Sequence, residues 1–175
     1  MTFLIITLIN IIKMKPKNKQ ITIAVATLVF IGAVLIFRDH FLIVHNKSVS
    51  LSARWFIISK GQIPQKNQIF AFRVSNPNAY KPGEIFIKIV GGVAGDKVQI
   101  KERDFYITNQ FGDQLIGAAK TVSLKGQPLL MLDSVVIPPN HYFAYTPHKD
   151  SYDSRYQEIG LINEAQIIGT AVFAF

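Results

Sequence analysis

The chain of 175 residues contains no cysteine. Thiol nucleophiles, CxxC redox chemistry, cysteine-ligated metals and disulfide staples are therefore excluded. A domain of the size left beyond residue 40 can be held together by burial alone, so the absence does not argue against export. The four histidines, His40, His45, His141 and His148, are scattered and no HExxH pattern occurs, so neither a metal nor a cofactor is expected. Acidic residues are few, 11 against 19 Lys and Arg, for a net charge of +8. That excess does not mark a nucleic-acid surface. Four lysines (Lys13, Lys15, Lys17 and Lys19) crowd one short stretch, and beyond residue 20 only 15 basic residues face 11 acidic ones, a net of +4 without a dense cluster.

Directly after the lysines comes an uncharged apolar run, Ile21 to Phe37. At 1.5 Å per residue its helical length is about 26 Å, near the short end of what crosses a bilayer, and snorkelling by Lys19 and Arg38 extends its reach. Basic residues before the span place the N-terminus in the cytoplasm and everything after about His40 outside it, in the periplasm for a protein of the inner membrane. The expected organisation is a basic N-terminal region over 1–20, a transmembrane helix over 21–37 and an exported domain over 40–175. The patch Met1–Ile12 is apolar but too short to span; it either lies in the interface or precedes a start at Met14. Cleavage after the run is not expected, because Phe37-Arg38-Asp39-His40 offers no pair of small residues.

The exported part reads as strands: Gln68–Val74, Ile85–Val90, Lys97–Ile100, Asp104–Thr108, Ser134–Ile137, His141–Tyr145 and Ile167–Phe175. Turn formers divide them, among them Asn76-Pro77-Asn78, Lys81-Pro82-Gly83, Gly95-Asp96, Phe111-Gly112-Asp113 and Pro138-Pro139-Asn140. Gly117–Gly126 reads as a connection. The expected class is mainly β, a single N-terminal transmembrane helix followed by an antiparallel coiled-sheet or barrel-like domain.

Strand phase singles out one lysine. In Ile85-Phe86-Ile87-Lys88-Ile89-Val90, a period of two puts Phe86, Lys88 and Val90 on one face. Two readings fit Lys88: a buried amine whose lowered pKa makes it a base, or a lysine whose stem covers an apolar patch while its head reaches water. Upstream, Ser48, Ser50 and Ser52 alternate with apolar residues and would share a face if extended, which equally describes a solvated edge strand. The neighbouring Trp55-Phe56 pair suits a membrane interface.

Three blocks in order give the chain a resemblance. NKSVSLSARWF, KIVGGVAGDKV and SYDSRYQEIG resemble the nucleophile, lysine (KRVxGxPGDxV) and C-terminal (SxDSRxxG) blocks of the bacterial type I signal peptidases (peptidase S26). The similarity is to their TraF-type branch, which matures pilin subunits in conjugative plasmid transfer. It implies a serine endopeptidase with a Ser/Lys dyad, in which Ser50 is the nucleophile and Lys88 the general base. It further implies that Ser48 donates to the oxyanion, that Ser151 orients the lysine, and that Asp153 and Arg155 form a structural ion pair. Ser52 and Arg54 stand where that branch has proline and glycine, Ile89 and Ala94 replace an arginine and a proline, and two residues are inserted after Tyr156. The implied partners are a pre-protein or pilin precursor in the membrane, the lipid bilayer and components of a conjugation or type IV secretion apparatus, with no nucleic acid. The rival expectation is an inactive peptidase-fold assembly factor of an envelope secretion apparatus.

Overall fold

The computed structural model describes residues 16–75 and 83–175, so the Met1–Ile12 patch and the turns at Asn76-Pro77-Asn78 and Lys81-Pro82 lie outside the described residues. The chain divides after His40 into two units. The first contains helix α1 (Pro16–His40). From Ile21 to Phe37 its large apolar side chains point outward on every side and are exposed. A helix apolar around its whole circumference, long enough to cross a membrane, matches lipid rather than water. Its threonines conform to the same solvent. Thr22 Oγ1 donates to the Asn18 carbonyl at 3.0 Å and Thr27 Oγ1 to the Ile23 carbonyl at 2.9 Å, so neither hydroxyl proton needs a water partner.

In the second unit, Phe41–Phe175, the described residues form eleven strands in two antiparallel sheets. The larger sheet runs in the order β1 (Phe41–His45), β2 (Trp55–Lys60), β11 (Ile167–Ala174), β3 (Ile69–Arg73), β4 (Ile85–Gly92), β9 (His141–Tyr145) and β10 (Ile162–Asn163). The smaller runs β7 (Gly112–Ala118), β6 (Asp104–Asn109), β5 (Lys97–Lys101) and β8 (Val135–Val136). This is the mainly β class with antiparallel pairing that the strand pattern predicts. After α1, the helical structure among the described residues is a single 3-10 turn, Glu164–Gln166, capped by Asn163.

The large sheet is covered on both faces, which explains strands that are apolar at successive positions. Phe56, Ile58, Ala71 and Ile87 form one cluster; Phe70, Phe72, Val90, Tyr142, Ala144 and Ile162 form another. A third, around Val98, Phe105, Ile107 and Ile137, belongs to the small sheet and receives Phe143 from β9. Gly91 and Gly92 end β4 because Tyr145 and Ile137 press on them: a Cβ on Gly92 would stand 2.6 Å from Ile137 Cδ1.

Four strands lie outside the predicted set: β1, β2, β7 and β10. The four consecutive apolar residues that open β1, Phe41–Val44, show no period-two alternation and so give no strand signal. Phe56 of β2 is fully buried. It serves the core and not a membrane interface; Trp55 alone of that pair is exposed, its ring centroid 4.6 Å from that of His45. β7 begins at Gly112, inside a predicted turn, and runs through Gly117, where a bulge in the β6–β7 ladder relieves the register. The serines of 48–52 are likewise not extended. They sit in the turn joining β1 to β2, because Leu51 and Ala53 pack inward against the Phe56 cluster.

Gly169 marks the bulge between β11 and β3. A Cβ there would collide with the Ser59 carbonyl of the adjoining strand. The backbone of β2 cannot withdraw without breaking its ladder, so Gly169→Ala should destabilise the protein by roughly 3 kcal/mol, read as a lowered midpoint in denaturant unfolding of the detergent-solubilised chain.

Candidate active site

Lys88 occupies the middle of β4, paired in register with Phe70 of β3. Phe86 and Val90, two residues away on either side, belong with Phe70 to the same apolar cluster, so the amine rises through a hydrophobic wall. It is 6% exposed. Its Nζ donates a 2.8 Å hydrogen bond to Ser151 Oγ and lies 5.7 Å from the Phe86 ring centroid. Burial pulls the ammonium down from its ordinary 10.5 to about 8; Asp153 opposes that shift and Arg155 assists it. At pH 8 about half of such amines are neutral, against well under one percent for an ordinary lysine. The amine is therefore buried and does not reach water at the surface.

Ser151 owes its place to a loop that carries a buried ion pair. The carboxylate of Asp153 and the guanidinium of Arg155, both buried, meet in a two-pronged pair, Nε to Oδ1 and Nη2 to Oδ2 at 2.9 Å each. Their other hydrogen bonds engage the backbone. Asp153 accepts from Thr146 N–H, while Arg155 donates to the carbonyls of Ala118, His148 and Ser151. Ser154 clamps β9 at Ala144 from both sides, its N–H donating to the carbonyl and its Oγ accepting from the amide at 2.9 Å each. Asp153 and Arg155 thus sit in a turn, not on a strand face, and still pair. The pair ties the Ser151 loop to the small sheet through Ala118 and to β9 through Thr146.

Ser50 lies in the β1–β2 turn, half-buried, with its Oγ 2.7 Å from Ser48 Oγ. Asn46 organises this turn. Its Oδ1 accepts from both the Ser48 N–H at 3.1 Å and the Ser48 hydroxyl at 2.9 Å, and its Nδ2 donates to the Ala53 carbonyl. A serine hydroxyl has one proton. With Ser48 giving its proton to Asn46, Ser50 is the donor of the Ser48–Ser50 bond. Asn46 escaped the sequence reading, although an asparagine two residues before a serine is a recognised turn signal. Ser52 is exposed to solvent.

Ser48, Ser50, Lys88 and Ser151 all line one cavity of about 490 Å3, with Val44 and Ile85 among its apolar walls. The hydrogen bonds of Ser50 and Lys88 go to Ser48 and Ser151, so the hydroxyl and the amine face a common space without being bonded to each other. Such a constellation joins a hydroxyl, a buried amine of lowered pKa and further hydroxyl donors, the kinds of group that acyl transfer can use. Asp153 and Arg155 stand behind it. Among the described residues no three His, Asp or Glu side chains converge as metal ligands would.

The family described as signal peptidase, peptidase S26, matches residues 16–175. A crystal structure of a signal peptidase I from Enterococcus faecalis V583 is similar at 20% identity, over 62% of this chain and 97% of that chain, with a TM-score of 0.40. No curated protein matches the chain.

The buried charges make stability depend on pH and on pairing. Because Lys88 binds its proton more weakly folded than unfolded, the native state holds fewer protons between pH 8 and 10.5, and stability rises with pH across that window. The full difference corresponds to about 3 kcal/mol. Lys88→Met should therefore stabilise the fold at pH 7 by roughly 1 to 3 kcal/mol, with the advantage fading above pH 8, as measured by thermal unfolding at a series of pH values. Asp153→Ala leaves a buried guanidinium unpaired and should cost about 3 to 5 kcal/mol by the same measurement.

Proposed function

Because the chain belongs to the signal peptidase family, peptidase S26, we propose that it is a membrane-anchored serine endopeptidase that removes the signal or leader segment of exported proteins. The observation that carries this reading is the shared cavity of Ser50 and Lys88, with Ser48 and Ser151 on its wall. Neutral Lys88 takes the Ser50 proton as Oγ bonds to the scissile carbonyl carbon. The Ser50 N–H and the Ser48 hydroxyl, turned away from Asn46, stabilise the oxyanion. The carbon–nitrogen bond then breaks, and the proton held by Lys88 passes to the leaving amine. A water then attacks the acyl carbon while Lys88 takes its proton, the bond from that carbon to Ser50 Oγ breaks, and Lys88 passes the proton to Oγ, restoring the hydroxyl.

Ser151 serves this cycle by fixing the direction of the Lys88 amine, and Asp153 and Arg155 by fixing Ser151. The anchor sets the compartment. Lys13, Lys15, Lys17 and Lys19 hold the N-terminus in the cytoplasm, which puts the β unit on the periplasmic side of the inner membrane, where export signals emerge. The blocks around Ser50, Lys88 and Ser151 favour the TraF-type branch, and with it a pilin precursor of a conjugation apparatus as substrate.

Ser50→Ala and Lys88→Ala should each lower processing of a co-expressed pre-protein or pilin precursor by about 10^4-fold, and the double variant by no more than either single one, since the two residues act as a unit. Wild-type rate in either single variant would refute the dyad. In the wild type, labelling of Ser50 by a serine-directed acylating inhibitor should rise with pH to a plateau above about 8, as Lys88 loses its proton, and should vanish in Lys88→Ala.

A further inference from the structure

Behind the wall that carries Ser151 lies a second cavity of about 510 Å3. It touches the first directly, since Asp150, Ser151 and Tyr152 line both. Its far side is a small hairpin between β7 and β8. Leu129 N–H donates to the Thr121 carbonyl at 2.9 Å and Ser123 N–H to the Gln127 carbonyl at 2.8 Å, while Ser123 Oγ accepts from the amides of Lys125 and Gln127. The hairpin is thus a formed element with its own ladder and cap. Nevertheless its apolar side chains are left uncovered: Leu124 at its tip is 85% exposed, and Val122 is 45% exposed. Opposite stand Tyr152 and Tyr156, stacked at 5.4 Å between centroids, with the Tyr156 hydroxyl accepting from Lys120 N–H. An ion pair between Lys120 and Asp150 ties the root of the hairpin to the loop bearing Ser151.

We propose that this cavity binds the part of the substrate that follows the scissile bond, and that it prefers an aliphatic or aromatic side chain within the first few residues after the cut. The inference rests on the peptidase reading and deepens it. Its direction comes from proton transfer. The leaving nitrogen must reach the proton on Lys88 Nζ, and that atom is bonded to Ser151, so the chain beyond the nitrogen departs on the Ser151 side. The acyl half is left to the first cavity, between Val44 and Ile85. An extended peptide rises about 3.3 Å per residue, so two or three residues beyond the cut reach past Ser151 to the stacked tyrosines. Burying a Leu or Phe of the substrate between those rings and the hairpin would also cover Leu124 and Val122, which the folded chain leaves exposed.

The test uses the full-length chain in detergent micelles and two synthetic peptides that share one acyl half with alanine before the cut. One ends there in a 7-amino-4-methylcoumarin amide; the other continues for six residues carrying Leu and Phe. Wild type should favour the longer peptide by about tenfold or more in kcat/KM, through a lower KM. Leu124→Asp, at an exposed tip that tolerates a carboxylate, and Leu129→Ala should each bring that ratio towards one. An unchanged ratio in both variants, or an equal loss on both peptides, would overturn the assignment. So would a wild type that cleaves both peptides equally well, and this would leave the peptidase reading intact. A wild type that cleaves neither would overturn the peptidase reading and the cavity assignment together.

Discussion

The hydrogen bond from Lys88 to Ser151 is the interaction around which the rest of the candidate site is arranged. An amine on a strand whose same-face neighbours are Phe86, Val90 and Phe70 is unfavourable to bury while it is charged. That penalty is moderated by loss of the proton, and its one hydroxyl partner keeps the amine aimed. Ser151 could not do this from a free loop. Asp153 and Arg155 neutralise one another in the interior and direct their remaining hydrogen bonds to the carbonyls of Ala118, His148 and Ser151 and to the Thr146 amide. The ion pair therefore acts as a bracket, joining the loop to both sheets. Its two charges push Lys88 in opposite directions, and desolvation is the largest cause of the shift.

The sheets are shaped to bring that bracket and the amine together. β4 is the shared strand: its middle holds Lys88, and its end, Gly91-Gly92, lacks side chains where Tyr145 and Ile137 make close approach. β9 pairs with β4 and alternates its allegiance, sending Phe143 to the core of the small sheet and Tyr142 and Ala144 to that of the large one. The serine side is held less firmly. Its turn is organised by Asn46 and by inward packing of Leu51 and Ala53, with the Ser50 hydroxyl resting on Ser48. The amine thus comes from the middle of a paired strand and the Ser50 hydroxyl from a turn.

Much of this was legible in the residues, and the reasons differ from one feature to the next. The apolar helix and the β class rest on period and solvent alone: an uncharged run beside lysines, and short strands between turns; phase set Lys88 between Phe86 and Val90 but left its burial open. Where two solvents meet, the pattern misled. Phe56 looked like an interface aromatic and is core, because a buried strand that starts just after a turn has the same composition as an interfacial one. β7 was hidden by Gly112 and Gly117, since a glycine in a bulged strand is written like a glycine in a turn.

The chain by itself determined an apolar helix long enough to span a membrane, a mainly β domain, and three blocks whose order resembles that of the peptidase S26 family. These depend on local period and on order along the chain. Only the tertiary structure placed Ser48, Ser50, Lys88 and Ser151 around one cavity, because they come from a turn, a strand and a loop, with Lys88 and Ser151 alone 63 positions apart. It alone decided that Ser50 rests on Ser48 and not on Lys88, that Asn46 holds the turn, and that a second cavity opens beyond Ser151. Such contacts are set by how strands pair and which faces they bury, and strand pairing leaves no trace in local sequence period.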